Sequence, residues 1–372
     1  MFFKILRIAF KSLTMNHKLI VAALLLTLTF ACSSDRVDET PEIPTTEKMY
    51  FPPNSGNYWE SKSLTTIGWN TSKAQELLDY LELKHTKSFI ILQNGKIVVE
   101  NYFDGHTETS PWYWASAGKT LTSVTVGIAE QEGLIKINNK VSDYIGNGWT
   151  SETLAQENKI TCKNLLTMTS GIDDSNGDAV SPENLFYKAD AGERWAYHNV
   201  FVKLQDVVSN ASGKTWEDYF NTRLKNKIGM TGSWITADNN IVYWSTTRSM
   251  ARFGLLALNK GNWDGTQVLN TNYFQASTNT SQNINLSYGY LWWLNGKTSY
   301  HLPQTQAIFS GPIIPSAPKD MFCALGKNDQ KIYVVPSKNL VIVRMGNSAD
   351  NTNFALSDFD EILWQKINAM MN

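Results

Sequence analysis

Residues 88–99 have the sequence SFIILQNGKIVV, and this stretch decides the fold class. Two runs rich in β-branched and large apolar residues, Ser88–Leu92 and Ile97–Val99, flank an Asn-Gly pair. An Asn-Gly pair between such runs is a strong signal of a tight hairpin turn. The stretch therefore predicts two antiparallel strands.

Elements of the same kind are predicted near both ends of the chain. Apolar residues at helical spacing predict a helix over 72–83, with Ser72 as its N-cap. Near the C-terminus, the runs Lys331–Val335 and Leu340–Met345 predict a second hairpin, and an amphipathic helix follows over Ser357–Met370. Together they predict one antiparallel sheet flanked by N- and C-terminal helices.

The middle of the chain, roughly 116–285, is richer in helix signals. Apolar residues recur at helical spacing near 121–129, 200–208 and 250–258, and Gly-, Asn- and Asp-rich breaks separate them. We therefore predict an α+β fold with sandwich-like layers, in which a mostly helical lobe is inserted into the sheet layer. A binding site is expected between the lobe and the sheet.

The N-terminal segment is predicted to stand apart from the folded domain, which covers 50–372. Basic residues precede a short apolar run, so 1–31 is predicted to be a signal peptide. The run ends Leu-Thr-Phe-Ala-Cys32, which resembles a bacterial lipoprotein signal with lipidation at Cys32; a plain signal peptide with a chance cysteine is the alternative. Residues 32–49 are then a flexible tether. The expected location is an exported, membrane-anchored lipoprotein on the periplasmic or outer-membrane side.

Composition excludes some classes of function. The chain has 33 Lys and Arg against 34 Asp and Glu and no basic stripe, so no nucleic-acid partner is predicted. The histidines are scattered and no Cys–His cluster has metal-binding spacing, so neither a metal nor another cofactor is predicted. Cys162 and Cys323 lack a disulfide framework and are expected to be buried small hydrophobes. The sequence leaves the oligomeric state open.

A single charged side chain interrupts an uncharged run. Lys119 is the only charged residue between Glu108 and Glu130, and Ser116 lies three positions before it. Residues at i and i+3 share a helix face, and a desolvated lysine can accept the proton of a neighbouring hydroxyl. The alternative is a snorkelling or ion-paired lysine. The same spacing recurs at Ser316–Lys319, where nearby prolines argue against a helix.

A second group of residues supports this chemistry. Tyr197 and Asn199 follow a glycine-led turn, just before the helix predicted from Val200. A cation lowers the pKa of a neighbouring phenol, so Tyr197 is a candidate general base toward the serine. The amide of Asn199 is suited to orient the lysine and bind a substrate carbonyl. The alternative for Tyr197 is a core tyrosine, as predicted for Tyr219 in a regular amphipathic helix.

These motifs, in this order, resemble the serine β-lactamase-like hydrolases, a group that includes class C β-lactamases, DD-peptidases, esterases and aminohexanoate-dimer hydrolases. The resemblance implies a β-lactamase/transpeptidase-like fold, an acyl-enzyme on Ser116, proton transfer shared by Lys119 and Tyr197, and substrate positioning by Asn199. It covers roughly 70–370 and is carried by Ser116-Ala117-Gly118-Lys119, Asn164–Ile172, Tyr197-His198-Asn199, Ser245–Gly265 and Tyr288–Trp293.

The third motif of the family departs from its usual form. The family has Lys-Thr-Gly or His-x-Gly on the strand beside the serine, and the matching place here is Ala324-Leu325-Gly326. The resemblance implies that Gly326 lets substrate approach the strand, and that the N–H groups of Lys327 and Ser116 form the oxyanion hole. The missing basic residue weighs against efficient β-lactam hydrolysis. The Lys327 side chain is either a substitute or a solvated turn residue.

The expected activity follows from these residues. We predict a serine hydrolase for a small ester, a linear amide or a D-amino-acid peptide, with Trp114 in the pocket wall and core packing as the alternative for that tryptophan. The alternative function is a penicillin- or peptidoglycan-binding protein that acylates slowly without turnover. A structural lipoprotein that lost the chemistry is disfavoured, because Ser116, Lys119, Tyr197 and Asn199 are all present.

Overall fold

The computed structural model describes residues 47–237, 240–350 and 356–372. The predicted signal peptide, Cys32 and most of the predicted tether therefore lie outside the described residues. The α-helices of the described part are α1 (Thr71–Leu83), α2 (Lys119–Gln131), α3 (Ser142–Ile145), α4 (Leu154–Glu157), α5 (Cys162–Leu166), α6 (Lys203–Ser212), α7 (Trp216–Arg223), α8 (Thr247–Leu258), α9 (Thr271–Ser277) and α10 (Asp358–Met371). The strands there are β1 (Thr86–Gln93), β2 (Lys96–Tyr102), β3 (Trp112–Tyr113), β4 (Ser233–Ala237), β5 (Asn240–Ser245), β6 (Asn262–Trp263), β7 (Thr266–Gln267), β8 (Trp293–Leu294), β9 (Ser299–Tyr300), β10 (Phe309–Ser310), β11 (Phe322–Gly326), β12 (Gln330–Val335) and β13 (Leu340–Gly346).

The two predicted hairpins join into one antiparallel sheet of order β2-β1-β13-β12-β11-β8. Strands β1 and β13 lie side by side, with Ile91 opposite Ile342. The turn residues Asn94 and Gly95 have φ of 49° and 81°, and positive φ at both positions is what a type I′ hairpin turn requires. The prediction made from 88–99 is therefore confirmed.

Both faces of this sheet are covered. Successive side chains of a strand point to opposite faces. On β12, Lys331 bonds Asp360 of α10 at 2.9 Å, whereas the next residue, Ile332, faces Gly254 of α8. Helix α1 packs against α10. The terminal helices thus flank the sheet as predicted, and α8 covers its other face.

The structure differs from the sequence prediction in two details of the helices. The N-cap of α1 is Asn70, two residues before the predicted Ser72, and its Oδ1 accepts from the N–H of Ser72 at 3.0 Å. Helix α8 was predicted to lie in the helical lobe, but it packs on the sheet. A Cβ at Gly254 would lie 2.4 Å from Val341 of β13, so the glycine permits this close approach.

A smaller sheet of order β3-β5-β4 lies beside the start of α2 and was not predicted. Tyr113 of β3 pairs with Trp244 of β5, and the N–H of Trp114 donates to the carbonyl of Tyr243 at 2.9 Å. The hairpin β4–β5 is thereby attached to the chain just before Ser116.

The two cysteines of the folded domain were expected to be buried. Cys162 and Cys323 are both buried and unpaired, and burial raises the pKa of both thiols. Within the described residues, no helix combines the length and apolarity that crossing a membrane requires.

Candidate active site

Ser116 lies in a short 3₁₀ helix, Ala115–Gly118, that runs directly into α2. The residue before it, Ala115, has a φ of 46°, in the left-handed region that residues with a Cβ rarely adopt. Such a conformation costs on the order of 1–3 kcal/mol and persists only when surrounding contacts impose it. Backbone strain is therefore located immediately before the predicted nucleophile.

Lys119 is the first residue of α2 and contacts Ser116 directly. Its Nζ donates to Oγ of Ser116 at 2.8 Å. The ammonium lies 4.8 Å from the ring centroid of Tyr197 and 4.6 Å from that of Phe201. Burial lowers the pKa of Lys119 to about 7, and the charge of Asp178 opposes this shift only in part. A lysine with this pKa is largely neutral just above pH 7 and able to accept a proton.

Tyr197 also faces Ser116, but its ionisation differs from the prediction. Burial raises the pKa of its phenol, and the hydrogen bond with Ser116 offsets this only in part. The sequence argument expected the cation to lower this pKa. The ammonium of Lys119 lies over the face of the ring, so desolvation of the phenol dominates. Tyr197 therefore keeps its proton at neutral pH and is placed to donate it.

Asn199 and His198 line the same cavity from the start of the 3₁₀ helix Asn199–Val202. Nδ2 of Asn199 donates to the backbone carbonyl of Asp178 at 3.0 Å. Nδ1 of His198 accepts from the N–H of Val200 at 3.2 Å, which makes His198 the N-cap. Burial lowers the pKa of His198, so this ring is neutral at pH 7.

The end of β11 packs against the 3₁₀ helix that carries the serine. A Cβ at Gly326 would lie 2.5 Å from the carbonyl oxygen of Trp114 and 3.0 Å from the N of Ala117, so only glycine fits here. Lys327 follows in the turn and lines the cavity, with an exposed side chain. The structure therefore places Gly326 and Lys327 beside Ser116.

Trp114 does not line the cavity, which corrects the expected pocket contact. The side chain has no exposed surface, and its Nε1 donates to Oγ of Ser245 at 2.8 Å. Its ring packs against those of Tyr243 and Phe253 in the core. The neighbouring residue, Tyr113, lines the cavity instead.

The cavity in front of Ser116 has a volume of about 400 Å³ and two different sides. Hairpin β4–β5 supplies one side, which is mostly apolar and was missed in the sequence. The available signal was the run of β-branched and aromatic residues in each strand, Trp234–Thr236 and Ile241–Trp244. The hairpin side chains on this wall are Trp234, Asn240, Ile241, Val242 and Trp244. The rest of the lining includes the polar residues Asp178, His198 and Asn199 and the ring of Phe201.

A second cavity, of about 480 Å³, adjoins the first at Asp178, Tyr197 and His198. Its remaining lining is mostly polar. The charged residues found only in this cavity are Asp173, Asp174, Lys188 and Arg194. Tyr197 therefore lies at the border between the two cavities, and the second cavity is lined by charged residues.

The fold and the Ser–Lys–Tyr geometry define a class of protein, the serine hydrolases of the β-lactamase/transpeptidase-like fold. The β-lactamase family profile matches residues 85–363, so the chain belongs to the β-lactamase family. This confirms the resemblance and the fold class predicted from the sequence.

The chain is also similar to individual proteins of known sequence or structure. An uncharacterized protein of Alkalihalophilus pseudofirmus is 25% identical over 327 residues, which cover 77% of this chain and 90% of that protein. A Bacillus anthracis protein, provisionally named a 6-aminohexanoate-dimer hydrolase, has a TM-score of 0.66 at 20% identity, covering 86% of this chain and 89% of its own. A class C β-lactamase mutant has a TM-score of 0.60 at 16% identity, covering 82% and 97%. The two structures show similarity of fold.

Proposed function

We propose that the protein is a hydrolase that cleaves an ester or an amide through an acyl-enzyme on Ser116. The observation that carries this proposal is the 2.8 Å contact between Nζ of Lys119 and Oγ of Ser116, in a site that lowers the lysine pKa to about 7. A serine hydroxyl is a weak nucleophile until a neighbouring base removes its proton. Lys119 is that base.

The remaining residues complete one catalytic cycle. As Oγ of Ser116 bonds to the carbonyl carbon, its proton passes to Lys119, and the oxyanion is held by the N–H groups of Ser116 and Lys327. The bond to the leaving group then breaks, and the leaving group takes a proton from the Tyr197 hydroxyl, which Lys119 reprotonates. Water attacks the acyl-enzyme by the reverse sequence and releases the acid.

Neutral substrates are favoured over β-lactams. The strand position where the family carries a basic residue holds Ala324, so no cation is fixed there for a drug carboxylate. Asn199 presents a buried amide to the cavity and is suited to bind a carbonyl or amide of the substrate. A small ester or a linear amide meets these conditions.

The test is intact-protein mass after exposure to a fluorophosphonate, with turnover of p-nitrophenyl acetate measured in parallel. The wild type is expected to gain one adduct, and Ser116→Ala to gain none. Ser316→Ala is the matched control, because Ser316 begins the other Ser-x-x-Lys sequence but bonds Glu361. Absence of labelling in the wild type would contradict the proposal.

The same experiment separates turnover from slow acylation. A hydrolase releases the acetyl group, so the ester is consumed over many cycles and the acetyl adduct does not accumulate. A penicillin- or peptidoglycan-binding protein would instead give a single burst and a persistent adduct of acyl mass.

We also propose that the protein is exported and anchored by a lipid on Cys32. The support is the sequence Leu28–Ser34, in which Cys32 follows Ala31 at the end of an apolar run. Metabolic labelling with a radioactive fatty acid should mark the wild type and not Cys32→Ala, and the variant should leave the membrane fraction. Equal labelling of both would contradict the anchor.

A further inference from the structure

The apolar wall of the catalytic cavity belongs to one structural unit. Ile241 and Val242 of β5 and Trp234 of β4 line the cavity, and Trp244 extends this wall toward Tyr113. The side chain of Ile241 is 40% exposed, although it lines the same cavity as Ser116. Exposure of a large aliphatic side chain to water is unfavourable, so an apolar ligand group that covers it would bind favourably.

The second cavity is polar and charged, in contrast to the apolar hairpin wall. Asp178, Tyr197 and His198 form the border with the second cavity, whereas no hairpin residue lines that cavity. Beyond this border the charged residues pair within the lining, Arg194 with Asp174 at 2.6 Å and Lys188 with Asp173 at 3.2 Å. Such groups suit a hydrated, hydrogen-bonding ligand group.

The chemistry of the acyl transfer orients a substrate between these two ends. The carbonyl oxygen must face the N–H groups at Ser116 and Lys327. The leaving group must lie near its proton donor, the hydroxyl of Tyr197, and therefore at the border with the second cavity. The acyl substituent then has the hairpin side of the cavity available.

We propose that the site takes esters or amides of an apolar acyl group, which packs against hairpin β4–β5, with a polar leaving group directed toward the second cavity. This inference rests on the proposed Ser116 acyl-enzyme. It goes beyond that proposal because it assigns an acyl subsite to Trp234 and Ile241, which lie on one face of the hairpin, and a direction to the substrate.

The first experiment is a chain-length series. We would measure kcat/KM for p-nitrophenyl acetate, butyrate and hexanoate, for which each methylene buried on the wall is expected to give about a fourfold gain. Butyrate should then exceed acetate by about 15-fold. Ile241→Ser should reduce this butyrate-to-acetate ratio to about threefold or less, and Ile241→Leu should restore it.

Ile235→Ser is the matched control. Ile235 lies on the same hairpin and is 45% exposed, but it does not line the cavity. Its variant should keep the wild-type ratio of butyrate to acetate. An equal loss in the Ile235 and Ile241 variants would overturn the proposal, because it would indicate a general disturbance of the hairpin.

A pair of isomeric esters tests the direction. Ethyl hexanoate and hexyl acetate have the same atoms, and only the side of the apolar chain differs. Ethyl hexanoate should be cleaved at least about tenfold faster, since the gain per buried methylene applies only to its chain. The reverse preference would overturn the orientation.

The outcomes distinguish this inference from the proposed function. If acetate turnover depends on Ser116 but the chain-length profile is flat, the acyl subsite is overturned and the hydrolase stands. If no turnover depends on Ser116, both are overturned.

Discussion

The rate of acylation is expected to follow the ionisation of Lys119. Only the neutral lysine can accept the proton of Ser116, and burial lowers its pKa to about 7. With this pKa, about a tenth of the molecules carry a neutral lysine at pH 6 and about nine tenths at pH 8. The acylation rate should therefore rise about tenfold between these values and then level off.

An ordinary lysine would give a different profile. With the unperturbed pKa of 10.5, about 0.3% of the lysine would be neutral at pH 8. The rate would then continue to rise about tenfold per pH unit up to pH 10. The position of the plateau thus reports whether the site desolvates Lys119 as the structure indicates.

The assay is single-turnover release of p-nitrophenol, with the enzyme in excess over p-nitrophenyl acetate, between pH 5.5 and 9.5 and with the enzyme-free rate subtracted at each pH. This measurement reports acylation whether or not the acyl-enzyme accumulates. Lys119→Arg keeps the positive charge but remains protonated throughout, so it should lower the single-turnover rate by about 10²–10⁴ and remove the inflection. Lys136→Arg is the matched control, because Lys136 is exposed and outside the cavity.

Other titrating groups of the cavity give distinguishable results. Burial lowers the pKa of His198 below its usual 6.5, and Tyr197 titrates above its usual 10. An inflection that disappears in His198→Gln but persists in Lys119→Arg would refute the assignment of the base. A wild-type rate that still climbs beyond pH 9 would refute the lowered lysine pKa.

Three further changes have defined outcomes. Lys119→Met should raise the free energy of unfolding, measured by urea unfolding, by about 2–5 kcal/mol at pH 6, where the wild-type fold buries an ammonium. The pKa of Lys119 is about 7 in the folded protein and 10.5 in the unfolded chain, so the wild type gains stability as the pH rises above 7. The difference between the two proteins should therefore vanish near pH 10.5. Gly326→Ala should lower the free energy of unfolding by about 1–3 kcal/mol and kcat/KM at least about 100-fold, because the added Cβ would push on Trp114 and displace the 3₁₀ helix that carries Ser116. A variant with the melting temperature and turnover of the wild type would contradict the close packing. Lys327→Ala should change kcat/KM for a neutral ester by less than about threefold, because it keeps the backbone N–H and removes an exposed side chain; a larger loss would show that the ammonium binds substrate.

The terminal parts of the fold were predictable because their signals are local. The Asn-Gly turn at 94–95 and the apolar periodicity of α1 and α10 each lie within a short window of sequence. Hairpin β4–β5 was missed because β3, its partner, has two residues, and this pairing depends on where the chain before Ser116 is placed. A pairing of that kind is decided by tertiary contacts.

The site was predictable in its composition but only partly in its electrostatics. Spacing and family resemblance name Ser116, Lys119 and Tyr197, which the structure brings together. The direction of the Tyr197 pKa shift was not predictable, because it depends on whether the cation lies beside the phenolic oxygen or over the ring. Likewise, the sequence cannot show which of Tyr113 and Trp114 enters the core.

By resemblance to the family, the third motif supplies both a basic side chain on the strand and a backbone N–H for the oxyanion hole. At the turn after Gly326 this chain has the backbone N–H but no basic residue on the strand. Behind this turn, Nη1 of Arg344 donates to the carbonyl of Asp329 at 2.9 Å, and both residues have no exposed surface. Moving a buried charge away from its partners is costly, so the turn and the N–H of Lys327 are held in place while the Lys327 side chain remains exposed. In the proposed mechanism this N–H is an oxyanion donor, and the matching position of strand β11 carries no basic residue. The proposal therefore assigns substrate affinity to apolar contact and to Asn199, which favours neutral esters and amides.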